Sequence, residues 1–307
     1  MSRKFREWQP DGGWLFPPSP RDWLPEDHLV YFLLDVTAQI DLSPIVDDYG
    51  GENGGQPPFH PRMMLVLLLY AYSAGVFSSR KIMQRSVTDA AFRIIVGDDI
   101  PDFRRIAEFR ARHLKHLQAL FLDVLVLCRG AGLLKVGRLS LDGTKIKANA
   151  SRKKAMSYDR MGPEAERLQQ EVDALLARAD GAFTADTGYF SEENMNALDS
   201  NRRIDDVFIA PGRQKHNDKE PNSPKGRPPK YLTAKQKMAR RNRTKKGRTE
   251  YARRKVIIEP VFGQIKAGLG FRNFLLRGLE KMQGEWKLVC LTHNLLKLFR
   301  SSALAAG

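Results

Sequence analysis

The first third of the chain alternates apolar and polar residues with the period of α-helices. After residue 26, apolar residues recur at spacings of three and four, which is typical of one buried helix face: Leu29, Phe32, Leu33, Val36 and Ile40. Pro61 is placed to begin the next helix, which carries the apolar run "MMLVLLLYAY" of residues 63–72. This run is far shorter than the roughly 20 residues needed to cross a bilayer, so it predicts a buried helix in a soluble globular protein.

Helical signals continue to about residue 132. Ser78 and Thr88 stand where they would cap two short helices, and Arg80 and Lys81 lie in the first of these. This spacing favours a helix-turn-helix and an ordinary helical bundle equally. Downstream, the pattern predicts one long helix with His113 on its apolar stripe. His113 is interpreted as a core residue, because no second ligand accompanies it at metal-site spacing.

The periodicity changes to that of β-strands after residue 135. Polar and apolar residues alternate from Val136 to Asp142, so Asp142 stands at the end of a predicted strand. Asp186 also follows a short apolar run, and Ser191 behind it is placed to cap a helix. Asp-Gly is a common turn dipeptide, so from its own stretch alone Asp142 is interpreted more simply as a turn residue than as a catalytic acid.

Two further amphipathic helices are predicted. One spans residues 162–180, between the two acids. The other covers the C-terminal segment, where an apolar side is formed by Leu279, Met282, Trp286, Val289 and Leu296. We expect this last helix to pack against the core of its domain.

The charge of the chain is concentrated in one segment. The 307 residues carry a formal net charge of +16, and residues 225–255 hold fourteen Lys or Arg and one acid, Glu250, which together supply +13. Such a segment gains free energy by releasing counterions from a polyanion, so nucleic acid is the expected partner. A solvated basic loop is the alternative. The two cysteines, Cys128 and Cys290, lie in apolar helical patterns, which fits buried thiols in a reducing cytoplasm.

A third acid, Glu259, stands among apolar residues in "KVIIEPVFG". A carboxylate in apolar surroundings should be paired, protonated or bound to a cation. Pro260 favours a helix that opens at Glu259, and Lys266 lies two helical turns further on. If Asp142, Asp186 and Glu259 converge, their mutual repulsion requires divalent cations such as Mg²⁺, which takes oxygen ligands. Two such ions can promote phosphodiester cleavage and strand transfer.

The segments "LSLDGTKIKANAS", "ADTGYFSEEN" followed by "FIAPGRQKH", and "YARRKVIIEPVFGQIKAGLGFRNFLLRGLEK" occur in this order along the chain. In order and context they resemble bacterial insertion-sequence transposases of the DDE superfamily. The stretches "PPFHPRMMLVLLLYAYSAGVFSSRKI" and "IPDFRRIAEFRARH" resemble the N-terminal domain of that family. Together these segments cover most of the chain.

The resemblance implies a site and its partners. Asp142, Asp186 and Glu259 would be the catalytic, metal-binding triad, with two Mg²⁺ ions as cofactors and Mn²⁺ as an alternative. The substrates would be double-stranded DNA, namely the terminal inverted repeats of the element and the target DNA, bound by a homodimer in the cytoplasm with no membrane contact. The expected DNA-contacting residues are Tyr251, Arg254, Lys255, Lys266, Arg240, Arg241, Arg243, Lys245, Lys246, Arg80 and Lys81.

The sequence departs from the family pattern in two places. Arg254 precedes Glu259 by five residues instead of four, so Lys255 is an alternative source of that charge. Only 43 residues separate Asp142 from Asp186, and they contain no β-branched or aromatic alternation for the two antiparallel strands that a ribonuclease-H-like core needs. This predicts an internal deletion near residues 178–183, which would leave a DNA-binding remnant without catalysis.

The expected fold class is α+β. An extended arm (1–24) precedes an all-α DNA-binding domain (25–132), a ribonuclease-H-like α/β catalytic domain (133–300) that is incomplete and contains a basic loop (213–250), and a tail (301–307). The function expected is metal-dependent DNA transposition, and the catalytically inactive remnant is the alternative. A basic RNA-associated protein would explain the charge but not the placement of the acids.

Overall fold

A computed structural model describes residues 20–49, 58–97, 99–131, 138–141, 146–148, 181–185, 204–210, 224, 226–229 and 231–306. Asp142, Asp186, Ser191 and the helix predicted for residues 162–180 lie outside the described residues. The chain divides into two compact units, one of residues 1–71, 76–113 and 299–307, and the other of residues 72–75 and 114–298.

The first unit is helical throughout its described part. A 3₁₀ helix at Pro20–Trp23 occupies the described end of the expected extended arm. It is followed by α1 (Leu29–Ala38), α2 (Ser43–Asp47), α3 (Pro61–Ser73, whose last two residues belong to the second unit), α4 (Ser79–Thr88), α5 (Ala90–Val96) and α6 (Phe103–Arg112). The predicted all-α character of this part of the chain is therefore present in the structure.

Helix α3 is the centre of this unit, as its apolar run predicted. It begins at Pro61, and each residue from Met64 to Tyr72 is at most 8% exposed. Burying such side chains stabilises the fold by about 1.5–3 kcal/mol each. The helix is buried on all sides, which explains why its sequence shows no polar face.

Capping residues set the boundaries of the short helices. Ser78 is the N-cap of α4, as predicted. The N-cap of α5 is Asp89 and not the predicted Thr88, because the Asp89 carboxylate accepts a hydrogen bond from the Ala91 amide at 3.0 Å. An aspartate satisfies a free N–H at a helix start better than a threonine, and both types of residue stood side by side in the sequence.

The long helix predicted around His113 is wrong, because the structure breaks it at that residue. Helix α6 ends at Arg112 and α7 (Leu114–Gly130) begins at Leu114. The His113 side chain is fully buried; its Nδ1 lies 2.9 Å from Asp48 Oδ2 and its Nε2 lies 3.1 Å from the Tyr49 hydroxyl. Both ring nitrogens are thereby satisfied, and the burial of the side chain agrees with the interpretation of His113 as a core residue.

The second unit contains a three-stranded, wholly parallel sheet in the order β1-β2-β3. Strand β1 spans Arg138–Leu141, β2 spans Gly181–Ala185 and β3 spans Ile204–Ile209. Parallel strands are buried on both faces and therefore read as apolar runs, and Ala185, Val207, Phe208 and Ile209 are at most 3% exposed. Among the described residues, no strand runs antiparallel to β1.

Helices follow the sheet: α8 (Ala234–Arg243), α9 (Lys245–Ile257), α10 (Glu259–Gly263), a π-helical turn (Gln264–Gly268) and α11 (Leu279–Ala306). The expected basic loop of residues 213–250 thus contains α8 and the start of α9, and the expected tail continues α11. A reciprocal capping box begins α8, in which Thr233 and Gln236 exchange side-chain and backbone hydrogen bonds.

Helix α11 buries a face slightly rotated from the predicted one. Leu279 is 37% exposed, whereas Glu285, Leu288, Val289 and Thr292 are fully buried. The predicted apolar side did not include Glu285, because a carboxylate adds nothing to a hydrophobic pattern. Mixed helices and a parallel sheet give the chain an α+β fold, and none of the described helices is both long and apolar enough to cross a membrane.

Candidate functional site

The ends of β1 and β2 lie side by side. In the parallel register, Leu141 pairs with Ala185. Each is the last residue of its strand, and each directly precedes a candidate acid, Asp142 or Asp186. The two acids themselves lie outside the described residues. The two strands predicted directly before Asp142 and Asp186 are therefore confirmed.

Glu259 opens helix α10, and Pro260 lies in its first turn. This confirms the prediction that the glutamate begins a helix. The predicted apolar surroundings are wrong, because Glu259 is exposed and the neighbouring Val256 and Ile257 are 75% and 44% exposed. No described residue pairs with the Glu259 carboxylate through a hydrogen bond or an ion pair. The exposed Glu259 carboxylate is accessible to a cation from solvent.

A π-helical turn, Gln264–Gly268, follows the helix that Glu259 begins and contains Lys266. The Leu269 amide donates to the Gln264 carbonyl at 2.8 Å, the five-residue spacing of a π-helix. Lys266 lies within that turn and is half-buried. Single π-helical turns are rare and are found most often at functional sites. The turn changes the angle between Glu259 and Lys266 from the one that a continuous α-helix would give.

If the three carboxylates converge, they would make an oxygen-only donor set, which suits Mg²⁺ or Mn²⁺. Two structural observations fit such a group: the paired strand ends that precede Asp142 and Asp186, and the exposed, unneutralised Glu259. The structure relates the two strand ends to each other, and it places Glu259 at the start of a helix in the same unit.

Some of the expected DNA-contacting residues are engaged within the protein. Arg241 Nη2 lies 3.3 Å from Asp206 Oδ1 on strand β3, and Lys246 forms a second ion pair with the other oxygen of Asp206. Arg240 donates to the Gly226 carbonyl at 3.3 Å. Two of the expected phosphate contacts are therefore already neutralised by an acid of the sheet.

Other expected contacts stay at the surface. Lys245 is exposed at the start of α9, and Tyr251 is half-buried on that helix. Arg243 is exposed, and its Nε donates to the Ala239 carbonyl at 3.4 Å within its own helix. The side chains of Arg254 and Lys255 lie outside the description, although their backbone belongs to α9.

A loop after the π-helical turn contacts the chain five residues beyond Asp142. The Lys147 amide donates a hydrogen bond to the Arg272 carbonyl at 3.3 Å. The Lys147 carbonyl accepts one from the Phe274 amide at 2.9 Å. The same loop is anchored by buried Glu285, whose Oε2 accepts from the Leu275 and Leu276 amides at 2.9 and 3.0 Å. The loop thereby joins α11 to the segment behind β1.

In the first unit, Arg80 and Lys81 are exposed in the first turn of α4. The Arg80 guanidinium lies 5.0 Å from the centroid of the Phe103 ring, and the Arg104 guanidinium lies 5.6 Å from it. Two cations thus lie against one aromatic ring, in a cation–π arrangement. The sequence pattern found Arg80 but not its partners, because Phe103 and Arg104 are more than twenty residues away.

Comparison with known protein families matches both halves of the chain. Residues 18–112 match a transposase domain (DUF772), and residues 217–299 match the transposase DDE domain. Together the two matches cover more than half of the chain. The chain belongs to the DDE transposases of insertion sequences. The predicted resemblance is confirmed.

The matched ranges divide the candidate triad of this transposase. Glu259, Lys266 and Tyr251 lie within the matched DDE domain, whereas Asp142 and Asp186 lie in residues 113–216, which neither family covers. Searches of curated proteins and of solved structures found no significant match.

Sequence reasoning missed two acids that make structural contacts within the second unit. Asp206 lies on β3 next to fully buried Val207 and Phe208, and Glu285 lies on the buried face of α11. In the sequence "IDDVFIA", Asp206 directly precedes an apolar run, and a basic segment follows further along the chain. An acid in that context could have indicated an ion pair. The pattern offered no such signal for Glu285.

Proposed function

We propose that this transposase cleaves the ends of its element and transfers them to target DNA, with Mg²⁺ held by Asp142, Asp186 and Glu259. The observation that carries the proposal is the register of β1 and β2, in which the residues preceding the two aspartates are partners. Neighbouring parallel strands end at the same edge of a sheet, where the fold places ligand sites. The catalytic domain would then be ribonuclease-H-like.

Each group of the site has a role in this proposal. The three carboxylates would hold the ions through their oxygen atoms. Bound Mg²⁺ would activate a water or a 3′-hydroxyl and stabilise the leaving oxygen. Lys266, half-buried near Glu259 in the chain, supplies a fixed positive charge for the scissile phosphate, and Tyr251 on α9 donates a hydrogen bond to the same strand of DNA.

DNA binding is proposed for exposed cations of both units. Lys245 on α9, with Arg254 and Lys255 behind it in the chain, would contact the phosphates near the cleavage site. In the first unit, Arg80, Lys81 and the Arg80–Phe103–Arg104 cluster would contact other phosphates of the DNA. Such contacts fix the position of the DNA without reading its sequence. Two element ends must be held together, so the active species is proposed to be a homodimer.

A second candidate function is that of a DNA-binding remnant without catalysis. Among the described residues, β1 pairs with β2 directly and in parallel, and no antiparallel strand accompanies it. A chain that has lost the two antiparallel strands of the complete core would have one free edge on β1. Such a protein would bind element ends through its basic helices without cutting them.

Nicking of a labelled element-end duplex separates the two candidates. Purified protein is incubated with the duplex in Mg²⁺, in Mn²⁺ and in EDTA, alongside Asp142→Ala and Glu259→Gln. Metal-dependent nicking that both substitutions abolish supports the transposase. Salt-sensitive binding without nicking, unchanged by Asp142→Ala, supports the remnant and refutes the proposed catalysis.

A further inference from the structure

Strand β3 carries an acid at a position where a buried parallel strand is ordinarily apolar. Asp206 is followed by Val207, Phe208 and Ile209, which are at most 3% exposed, and its own side chain is only 18% exposed. A carboxylate placed there loses hydration, so it must be compensated by cations or by hydrogen-bond donors.

Two cations from consecutive helices supply that compensation. Arg241, on α8, reaches Asp206 Oδ1 at 3.3 Å, and Lys246, on α9, pairs with Asp206 Oδ2. Burial alone would raise the pKa of Asp206, but the hydrogen bonds and charges of Lys246 and Arg241 together outweigh it and hold the pKa below its usual value. The carboxylate is therefore ionised and bridges the two helices at neutral pH.

Helix α8 is tied to β3 by two more contacts. The Asn242 side-chain amide donates to the Ile209 carbonyl at 2.8 Å. The Arg241 guanidinium lies 5.4 Å from the centroid of the Phe208 ring. The end of α8 is therefore held against the sheet by an ion pair, a hydrogen bond and a cation–π contact, each to a different residue of β3.

The corner between α8 and α9 leaves little freedom for the second helix. A single residue, Thr244, separates the two helices, and its hydroxyl donates to the Arg241 carbonyl at 2.7 Å and accepts from the Gly247 amide at 3.0 Å. A Cβ at Gly247 would lie 2.2 Å from the Arg241 carbonyl oxygen. The start of α9 therefore follows the end of α8 closely, and α8 follows β3.

Helix α9 in turn leads to Glu259. It packs on β2 and β3, and only Ile258 separates its last residue from α10. A rotation of α9 on the sheet would move Glu259 relative to the end of β2, which Asp186 follows. The direction of α9 is thus set at its other end, where Lys246 meets Asp206.

We infer that Asp206 is a positioning residue of this transposase, which locks the α8–α9 corner onto the sheet and thereby places Glu259 for metal binding. In the same role it withholds Arg241 and Lys246 from the phosphates of DNA. The catalytic part of this inference rests on the proposed metal site, whereas the locking of the corner does not. Loss of the carboxylate should therefore act on DNA binding and on cleavage in opposite directions.

The test compares wild-type protein with Asp206→Asn, Asp206→Glu and Asp123→Asn. Asp123 is exposed on α7 in the same unit, so its substitution controls for the change in net charge. Three quantities are measured: the dependence of binding on salt with a random-sequence duplex, Mg²⁺-dependent nicking at saturating DNA, and hydrogen exchange of the backbone of residues 245–257.

For Asp206→Asn we expect faster exchange in α9, at least tenfold slower nicking, and a steeper salt dependence. Each cation that is freed to contact a phosphate adds about 0.9 to the slope of log K against log[salt]. Asp206→Glu should recover part of the nicking, and Asp123→Asn should resemble wild type in all three. Unchanged exchange in α9, or unchanged nicking by Asp206→Asn, would overturn the inference.

The outcome also separates this inference from the proposed function. If wild-type protein does not nick the duplex, the proposed catalysis fails. Exchange in α9 and the salt slope then still decide whether Asp206 locks the corner: faster exchange with a steeper slope supports it, and unchanged exchange refutes it.

Discussion

The corner between α8 and α9 predicts a large effect of one methyl group, in the substitution Gly247→Ala. The added Cβ would lie 2.2 Å from the Arg241 carbonyl oxygen and 2.9 Å from the Asn242 Cα, whereas real Cβ atoms essentially never come closer than 3.0 Å. Both atoms belong to the backbone, so no change of rotamer relieves the contact. The helices must separate by close to an ångström, which also strains the ion pairs of Asp206.

Two opposing contributions set the change in stability that Gly247→Ala causes. Overpacking of this kind costs about 1–3 kcal/mol, and here it falls at the upper end, because the ion pairs of Arg241 and Lys246 with Asp206 are disturbed as well. Replacing a helical glycine by alanine returns about 0.5–1 kcal/mol. The net loss is about 2 kcal/mol, which lowers the melting temperature of a unit of this size by about 4–8 °C.

The assay is thermal unfolding followed by circular dichroism, with Gly263→Ala as the matched control. Gly263 is also helical, at the end of α10, but a Cβ there would meet nothing within 4 Å. The control should therefore melt at the wild-type temperature or slightly above it. A Gly247→Ala protein as stable as wild type would refute the close approach of the two helices.

Three further predictions concern ionisable groups of the second unit. At pH 7, Asp206→Asn should lower the free energy of unfolding by about 1–2 kcal/mol, a value discounted because Arg241 and Lys246 are partly exposed. Since the pKa of Asp206 is lowered from 3.8, its contribution to stability is fully present above pH 3.8 and is lost as the pH falls through the folded-state pKa. Urea unfolding of wild type and Asp206→Asn at pH 7 and pH 3 measures this contribution. An equal difference in unfolding free energy at both pH values would contradict the prediction. Burial raises the pKa of the Cys290 thiol from 9.0 to about 12, so iodoacetamide at pH 8 should alkylate Cys290 on the order of 1,000-fold more slowly in native protein than in urea, and a ratio under ten would show that the thiol is accessible. Glu285→Ala removes the acceptor of two backbone amides and should cost about 2–4 kcal/mol, whereas Glu285→Gln, which keeps an oxygen acceptor, should cost less than half of that; equal losses for the two variants would assign the effect to packing alone.

Local sequence patterns predicted those helices and strands that depend on interactions between residues close in sequence. The apolar run behind Pro61 predicted buried α3, and the short apolar segments before Asp142 and Asp186 predicted β1 and β2. Pro260 predicted a helix that opens at Glu259. In each case the deciding forces act between residues close in sequence: burial of a continuous apolar stretch, or the fixed φ of a proline.

Features that depend on distant partners could not be read from the chain. At the break between α6 and α7, the His113 ring contacts Asp48 and Tyr49, more than sixty residues away. The basic stretch was expected to form a loop that binds DNA, but Asp206 engages Arg241 and Lys246, and α8 and α9 form on the sheet. Charge alone indicated a polyanion, although part of that charge is neutralised within the protein.

The exposure of Glu259 is a second feature that the sequence could not predict. Its apolar neighbours in sequence predicted a buried acid, yet Val256 and Ile257 are largely exposed at the end of α9. Sequence proximity gives the composition of a segment and not the direction in which each side chain points. The sequence therefore gives the residue types of the candidate site. The structure gives the strand ends and the helix start next to these residues.

The measurement that tests the central claim most directly is Mg²⁺-dependent nicking of a labelled element-end duplex by the purified full chain. The account predicts nicking at the element end that EDTA, Asp142→Ala, Asp186→Ala and Glu259→Gln each abolish while DNA binding is retained. Binding to the duplex without nicking in either Mg²⁺ or Mn²⁺ would contradict the claim that these three acids form a metal site.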